Sequence, residues 1–191
     1  MIQTTLHPKS CRQCKREFMP ARPMQAVCSP VCAQRKVLAD KAAEKAAERA
    51  MTRKRREAIK TIPQRIADAQ KEFNAYIRAR DHAQPCICCG RTTNDRDLIT
   101  GSRWDAGHYR STGSASHLRF HEDNCHRQLV ACNRHGAGRA VDYRIGLIAR
   151  IGVERVEALE ASNVPHKWTH DELIEIAARY KAKRKALEAA A

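Results

Sequence analysis

The sequence predicts an α+β protein, mostly helical, assembled from several small units in place of one large core. Three observations point that way. Aromatics make up only 5% of 191 residues, and alanine supplies much of the 42% hydrophobic content, which leaves little from which to build a single large core. Nine cysteines, most of them in close clusters, mark segments that need staples. Long stretches of Ala, Lys, Glu and Arg without Gly or Pro favour helix. The formal net charge of +15 attracts a polyanion, with nucleic acid the leading class. A membrane surface is the alternative. Against it, no run approaches the ~20 apolar residues of a spanning helix, and the start MIQTTLHPKSCRQC has no apolar signal-peptide core. A soluble cytoplasmic protein is therefore expected. In that compartment thiols stay reduced, so an odd number of cysteines reads as metal ligands before disulfides.

Taken in order, CRQCKREFMPARPMQAVCSPVC comes first. Cys11 and Cys14 form CxxC, and Cys28 and Cys32 form Cx3C, two close pairs that satisfy tetrahedral zinc. Bound zinc would supply folding energy that so short a segment lacks. From Ala33 to about Ile59 a helix is expected. Asp40, Glu44 and Glu48 fall in one i, i+4 column, and Lys41, Lys45, Arg49 and Arg53 fall in another, so the helix is mostly solvated. Arg53, Lys54, Arg55 and Arg56 are candidates to grip DNA phosphates, against a plain solvated spacer. A second helix begins at Pro63, with Ile66, Phe73 and Ile77 on its core face, and ends at Gln84-Pro85. Towards the C-terminus, Ile145, Ile148 and Ile151 mark one helix that stops at Gly152, and VERVEALEAS a short one. Thr169 and Glu172 form a capping box that opens a last helix through Ile174, Ala177 and Tyr180 to the basic KAKRK.

The middle of the chain carries the chemistry. Cys86 and Cys89 form a second CxxC in CICCG, with the glycine suited to the turn around a metal. Downstream come His108 in DAGHY, Asn124, His126 and Gln128 in alternation, and Cys132-Asn133 in ACNRH. This order resembles an HNH, or ββα-metal, nuclease. The resemblance implies two cysteine pairs around zinc, a first strand ending in a general-base histidine, and a second strand with a buttressing asparagine. It also implies a helix whose first turn offers a ligand to the catalytic metal. His108, Asn124 and Asn133 take those places, and asparagine at the last is similar to endonuclease VII-type junction resolvases. A closer resemblance spans almost the whole chain. CxxC…VCSxxCA, FNAYIRxRD, PCIxCG, AGHYRSTG, HLRF, NxHxQ, CN and YRIxLIxRIG resemble the phage NinG/Rap family of recombination proteins. That resemblance implies nicking of Holliday junctions and D-loops in the host cell cytoplasm.

Phosphodiester hydrolysis needs a base for water and a cation for the charge on the phosphorane. A histidine titrating near ~6.5 suits the base, which selects His108. Asn133 would help hold a divalent ion, Mg²⁺ foremost because it prefers oxygen ligands. His126 is a candidate to touch that metal or the scissile phosphate, and Arg110 a candidate phosphate contact. His117 and His121 read as surface or strand residues. Two departures from the nuclease pattern stand out. Gly107 occupies the place before the base, where an acid or histidine is usual, which makes Asp105 the second metal ligand. Leu129 occupies the place of a zinc cysteine. The expected replacement is His135, giving a site of Cys86, Cys89, Cys132 and His135, with Cys125 the runner-up and Cys88 a bystander. The expected organisation is a zinc knuckle over 1–34, a basic helical linker over 35–62, an HNH-like ββα-metal nuclease module over 63–152 and a C-terminal helical region over 153–191. The near two-fold symmetry of a junction fits a homodimer. The competing classes are a non-catalytic zinc-stabilised DNA-binding protein and, less favoured, an RNA-binding zinc protein.

Overall fold

The computed structural model describes residues 6–93 and 102–190, and these fall into two units, residues 1–60 and 61–191. Among the described residues there are five α-helices and two small antiparallel sheets.

In the first unit, β1 (Lys9–Ser10) pairs with β2 (Glu17–Phe18), Lys9 opposite Phe18. Helix α1 (Pro30–Ala58) follows. It starts three residues before the expected Ala33 because Ser29-Pro30 supplies the start signal. The Ser29 hydroxyl accepts a hydrogen bond from the Cys32 N–H at 3.2 Å, and Pro30 takes a first-turn place where no N–H is needed. Only Cys32 of α1 is buried.

In the second unit, α2 (Ile62–Arg80) opens on Thr61, whose N–H donates to Gln64 Oε1 at 2.9 Å. Helix α5 (His170–Ala189) opens on the expected capping box, with Thr169 N–H donating to Glu172 at 2.8 Å. The two helices pack together, so α5 completes the core of the second unit and does not form a region of its own. Phe73 is fully buried there, edge-on to Tyr180 at 4.8 Å and Phe120 at 5.8 Å. Between α2 and α5 in the chain, β3 (Trp104–His108) pairs with β4 (Cys125–Leu129) in antiparallel register, from Trp104 opposite Leu129 to His108 opposite Cys125. A π-helical turn (Ala131–His135) leads to α3 (Ala140–Ile151), and α4 (Val153–Ala161) follows Gly152, whose φ of +87° permits the sharp change of direction.

Two expected stripes hold in part: Ile148 and Ile151 of α3, and Ala177 and Tyr180 of α5, pack on the core, while Ile145 and Ile174 do not. On α3 the buried residues are Tyr143 and Leu147, while Ile145 is 64% exposed. The Tyr143 hydroxyl donates to the Gly107 carbonyl at 2.7 Å, which fixes the face that α3 turns to the hairpin. On α5 the core takes Leu173, Ile176 and Tyr180, and Ile174 is left half-exposed. Helix α3 also comes very close to the segment before β3: a Cβ at Gly146 would lie 1.8 Å from the Ile87 carbonyl oxygen, a backbone atom with no room to yield. Gly146→Ala should therefore lower stability by about 1–3 kcal/mol through overpacking. Urea denaturation at saturating zinc measures it, and an unchanged midpoint would show that the close approach is not needed.

Candidate functional site

Two groups of four thiols carry the strongest metal chemistry among the described residues. Cys11, Cys14, Cys28 and Cys32 bring their sulfurs within 4.8 Å of one another, and so do Cys86, Cys88, Cys89 and Cys132. Sulfurs about 2.3 Å from a tetrahedral zinc lie about 3.8 Å apart. Cys14–Cys28 at 3.7 Å, Cys28–Cys32 at 3.6 Å and Cys86–Cys88 at 3.5 Å match that spacing, so the donor sets fit zinc.

The knuckles repeat one another. Lys15 N–H donates to Cys11 O at 2.9 Å, and Gly90 N–H to Cys86 O at 3.0 Å. Cys11 N–H donates to Arg16 O, and Cys86 N–H to Arg91 O, at 2.9 Å in each case. Lys15 (φ 64°) and Gly90 (φ 67°) are left-handed. The repetition extends to the next strand or loop. Cys28 N–H donates to Cys11 Sγ at 3.4 Å, and Leu129 N–H donates to Cys86 Sγ at 3.2 Å. Leu129 thus occupies the place of Cys28, keeping the backbone bond and lacking the thiol.

Cys88, inside the knuckle, supplies the fourth sulfur. This corrects two expectations: His135 is not in the donor set, and Cys88 is not a bystander. The runner-up Cys125 is also excluded, being fully buried in the α2–α5 core. The sequence signal was a cysteine lost at 129 and another gained at 88. Gln128, fully buried, donates to Cys88 Sγ at 3.4 Å and to Gly138 O at 2.9 Å, which ties the thiol group to the turn after β4.

The thiols within each group differ in acidity. Backbone N–H groups, that of Cys14 foremost, lower the Cys11 thiol to about 6, while the neighbouring Cys32 thiol, with Cys14 and burial, pushes Cys28 up to about 12. Burial raises Cys86, but N–H bonds from Leu129, Cys88 and Cys89 outweigh it and hold the thiol at about 7. Cys132 is pushed up by burial and by its sulfur neighbours. Sulfurs this close cannot all be thiolates without a metal between them.

His108 ends β3. Its Nε2 lies 2.9 Å from the Arg119 carbonyl, which can only accept, so the proton sits on Nε2 and Nδ1 carries the lone pair. Nδ1 lies 3.8 Å from Cys125 Sγ. Burial pushes the His108 pKa below its ordinary value; the Arg119 carbonyl opposes this less strongly. Asn133 sits in the π-helical turn, and with His108 and Tyr143 it lines a cleft of about 470 Å³. Asn133 Nδ2 donates to Asp105 Oδ2 at 3.0 Å, leaving Oδ1 of the amide as an oxygen donor. Arg134 clamps the same carboxylate with two bonds of 2.8 Å. Burial raises Asp105, but Arg134 and Asn133 outweigh it and hold the carboxyl below its usual range. The structure thus brings Asp105 to Asn133, and Asn133 and His108 to one cleft. Asn124, fully buried, accepts from Arg110 N–H at 2.8 Å and donates to the carbonyls of Arg110 and Leu118 at 3.0 and 3.2 Å, clasping the loop behind His108.

Two further expectations are corrected. His126 is buried: Nδ1 lies 3.0 Å from Arg80 Nη2 and 3.4 Å from Asp81, and Nε2 lies 3.2 Å from the Asp123 carbonyl. With its ring nitrogens engaged, it can touch neither metal nor phosphate. Arg110 does not present its guanidinium to a ligand. Nη1 donates to the carbonyls of Leu159, Glu160 and Ser162, and Nη2 to Asn163, which closes the end of α4. The Arg80-Asp81 pair is a structural feature that sequence reasoning missed. Arg80 pairs with Asp81 at 2.7 Å and donates to Cys125 O at 3.0 Å, while Arg127 N–H donates to Asp81 at 3.0 Å, which pins β4 to the end of α2. The signal was present as the final RD of FNAYIRARD. Arg53, Lys54, Arg55 and Arg56 are exposed on α1.

The class defined so far is a mostly helical α+β protein with two four-thiol centres, the second fused to a β-hairpin that carries a histidine–asparagine cleft. The family described as "Bacteriophage Lambda NinG protein" matches residues 3–190. Protein ninG of Escherichia phage lambda is 40% identical over 190 residues, covering 92% of this chain and 90% of the relative. Protein ninG of Salmonella phage P22 shows the same identity and coverage. That of Escherichia phage 933W is 45% identical over 133 residues, covering 70% of this chain and 63% of the relative. No solved structure matches. The chain belongs to the NinG family of bacteriophage proteins.

The donor sets give a zinc count. The full-length protein should bind two zinc ions, one for each thiol group. Cys88→Ser should lose or weaken one of them at least ~10-fold, while His135→Ala keeps both. Elemental analysis after dialysis against a weak chelator reads the difference, with the first group as internal control. Loss of zinc in His135→Ala and not in Cys88→Ser would reinstate the histidine.

Proposed function

We propose that this protein is a metal-dependent endonuclease that nicks branched DNA, Holliday junctions and D-loops, during phage recombination in the host cytoplasm. The observation that carries the reading is the cleft shared by His108 and Asn133. His108 keeps Nδ1 unprotonated, with the Cys125 thiol beside it at 3.8 Å, and spends its other nitrogen on a backbone carbonyl, the tautomer a base needs. Nδ1 takes the proton of an attacking water, and Asn124 keeps the loop carrying the Arg119 carbonyl in place. The oxygens that fit a hard divalent cation such as Mg²⁺ are Asn133 Oδ1 and, once the exposed Arg134 swings aside, the Asp105 carboxylate. Such an ion would stabilise charge on the phosphorane and on the leaving oxygen. The preference for branched DNA rests on the family resemblance and the net charge of +15. A homodimer matches the symmetry of a four-way junction and would offer one cleft to each opposing strand.

A second reading, a zinc-stabilised DNA-binding protein without catalysis, is favoured by the Arg134 clamp on Asp105 and the thiol beside His108 Nδ1. The two readings separate on a synthetic four-way junction in Mg²⁺ or Mn²⁺. The endonuclease reading expects wild-type nicking, and a loss of about 10²–10⁴-fold in His108→Ala with junction affinity retained. Binding without nicking under every divalent metal would establish the second reading.

The pH dependence follows from burial. Neutral His108 is the active form, and its pKa lies below the ordinary 6.5, so kcat/KM should hold level through neutral pH. Activity is lost only as pH falls below 6.5, when the ring becomes protonated. An acid limb centred above 6.5 would contradict the buried base.

A further inference from the structure

Helix α1 carries two charge columns that the candidate active site does not use. Lys41, Lys45, Arg49 and Arg53 repeat every four residues, and at about 100° per residue they fall, with Arg56, within an arc of about 120°. They form a ribbon about 22 Å long at ~1.5 Å per residue. Asp40, Glu44 and Glu48 form the neighbouring acidic column. Like charges at i, i+4 disfavour a helix, and mixing the signs along each column would favour it. Lys41–Glu44 and Lys45–Glu48 offset this at i, i+3, so what the segregation achieves is to concentrate one sign on one face. Every residue of the ribbon is exposed, and among the described residues no ion pair ties down Lys41, Lys45, Arg49 or Arg53. A shallow groove follows the same face, where Lys45, Arg49, Arg53, Arg56 and Lys60 outnumber the two carboxylates at its edges, Glu48 and Glu57.

From this we infer that the ribbon from Lys41 to Arg56 is a docking surface for the sugar-phosphate backbone of a duplex DNA arm. The inference rests on the DNA reading above and adds the surface that holds the substrate. Charge complementarity selects a polyanion. The composition of α1 narrows it further. The helix has no Phe, Tyr or Trp on which unpaired bases could stack, which argues against a single strand. Away from the ribbon, alanines alternate with Lys36, Asp40, Glu44 and Lys54, and the exposed Val31, Val37, Leu38 and Met51 are scattered around the helix and form no apolar face that could sink into a lipid surface. Of the basic run 53–56, only Arg53 and Arg56 belong to the ribbon; Lys54 and Arg55 point about 100° to 160° away from its centre.

The test compares two triple variants of the full-length zinc-loaded protein with equal change in charge. One replaces Lys45, Arg49 and Arg53 with Gln, and the other replaces Lys36, Lys54 and Arg55 with Gln; glutamine keeps helix propensity, and circular dichroism confirms that α1 persists. Fluorescence anisotropy with a labelled four-way junction and a plain duplex is repeated at rising salt. Each lost phosphate contact should reduce the slope of log K against log salt by about 0.9, so the ribbon triple should lose about 2.7 and the other less than about 1. Equal losses in the two triples would overturn the ribbon, as would no loss in either, or binding to an RNA duplex and not to DNA. Wild-type nicking of the same junction, scored separately, reports on the endonuclease reading: its absence with the slope difference intact leaves the ribbon standing.

Discussion

The second unit depends on four sulfurs held within 4.8 Å of one another. Cys86, Cys88 and Cys89 precede β3, and Cys132 follows β4, so the group joins the segments flanking a two-stranded sheet that would be marginal alone. Trp104 packs beside Cys86 and Cys132, which places the start of β3 against the thiols. From Cys88 the contact runs through Gln128 to the hairpin. The Gln128 side chain covers Gly107 so closely that a Cβ there would lie 2.0 Å from its Oε1. The residue next to Gly107 is His108. A glycine before the candidate base, a departure from the nuclease pattern, thus has a packing cause: the space that a side chain would fill belongs to the glutamine that bonds the Cys88 thiol.

The same hairpin is anchored at its other end by a buried ion pair. Burial penalises the Asp81 carboxylate, yet His126, Arg80 and the Arg127 N–H hold it well below the usual carboxylate range. Removing one partner of such a pair leaves a buried charge uncompensated, which costs far more than the pair itself contributes. His126 therefore has a structural role in the strand that also begins beside His108. Its place in the NxHxQ pattern comes from alternation: His126 and Gln128 share one face, the first bonded to the α2 terminus and the second to the thiols.

Much of this was legible in the sequence where the signal was local. The first cysteine pairs, the α5 capping box, the α2 core residues Phe73 and Ile77, and the breadth of the NinG resemblance all depend on short spacings or contiguous motifs. The failures share a cause. Which residue replaces a missing ligand at 129, whether Arg110 reaches outward or back to α4, and which face of α3 is inward are set by contacts between residues distant in the chain. Periodicity favoured Ile145 over Tyr143 because it counts apolar side chains and cannot see the Gly107 carbonyl that the tyrosine reaches. Spacing favoured His135 over Cys88 because CxxC hides a third thiol within its own loop. That Leu129 stands where a ligand would be was already legible from the nuclease pattern, and the second knuckle repeats the first there, hydrogen bond for hydrogen bond.

The thiols of Cys86, Cys88, Cys89 and Cys132 join the segments that flank the hairpin carrying His108, and the chemistry proposed for the cleft requires the hairpin to be held in this way. X-ray absorption at the zinc edge of the full-length protein tests it most directly. Two four-thiol sites should give four sulfur scatterers per zinc at about 2.3 Å, with no lighter shell. A nitrogen shell at about 2.0–2.1 Å would put a histidine in the centre and contradict the assignment of Cys88.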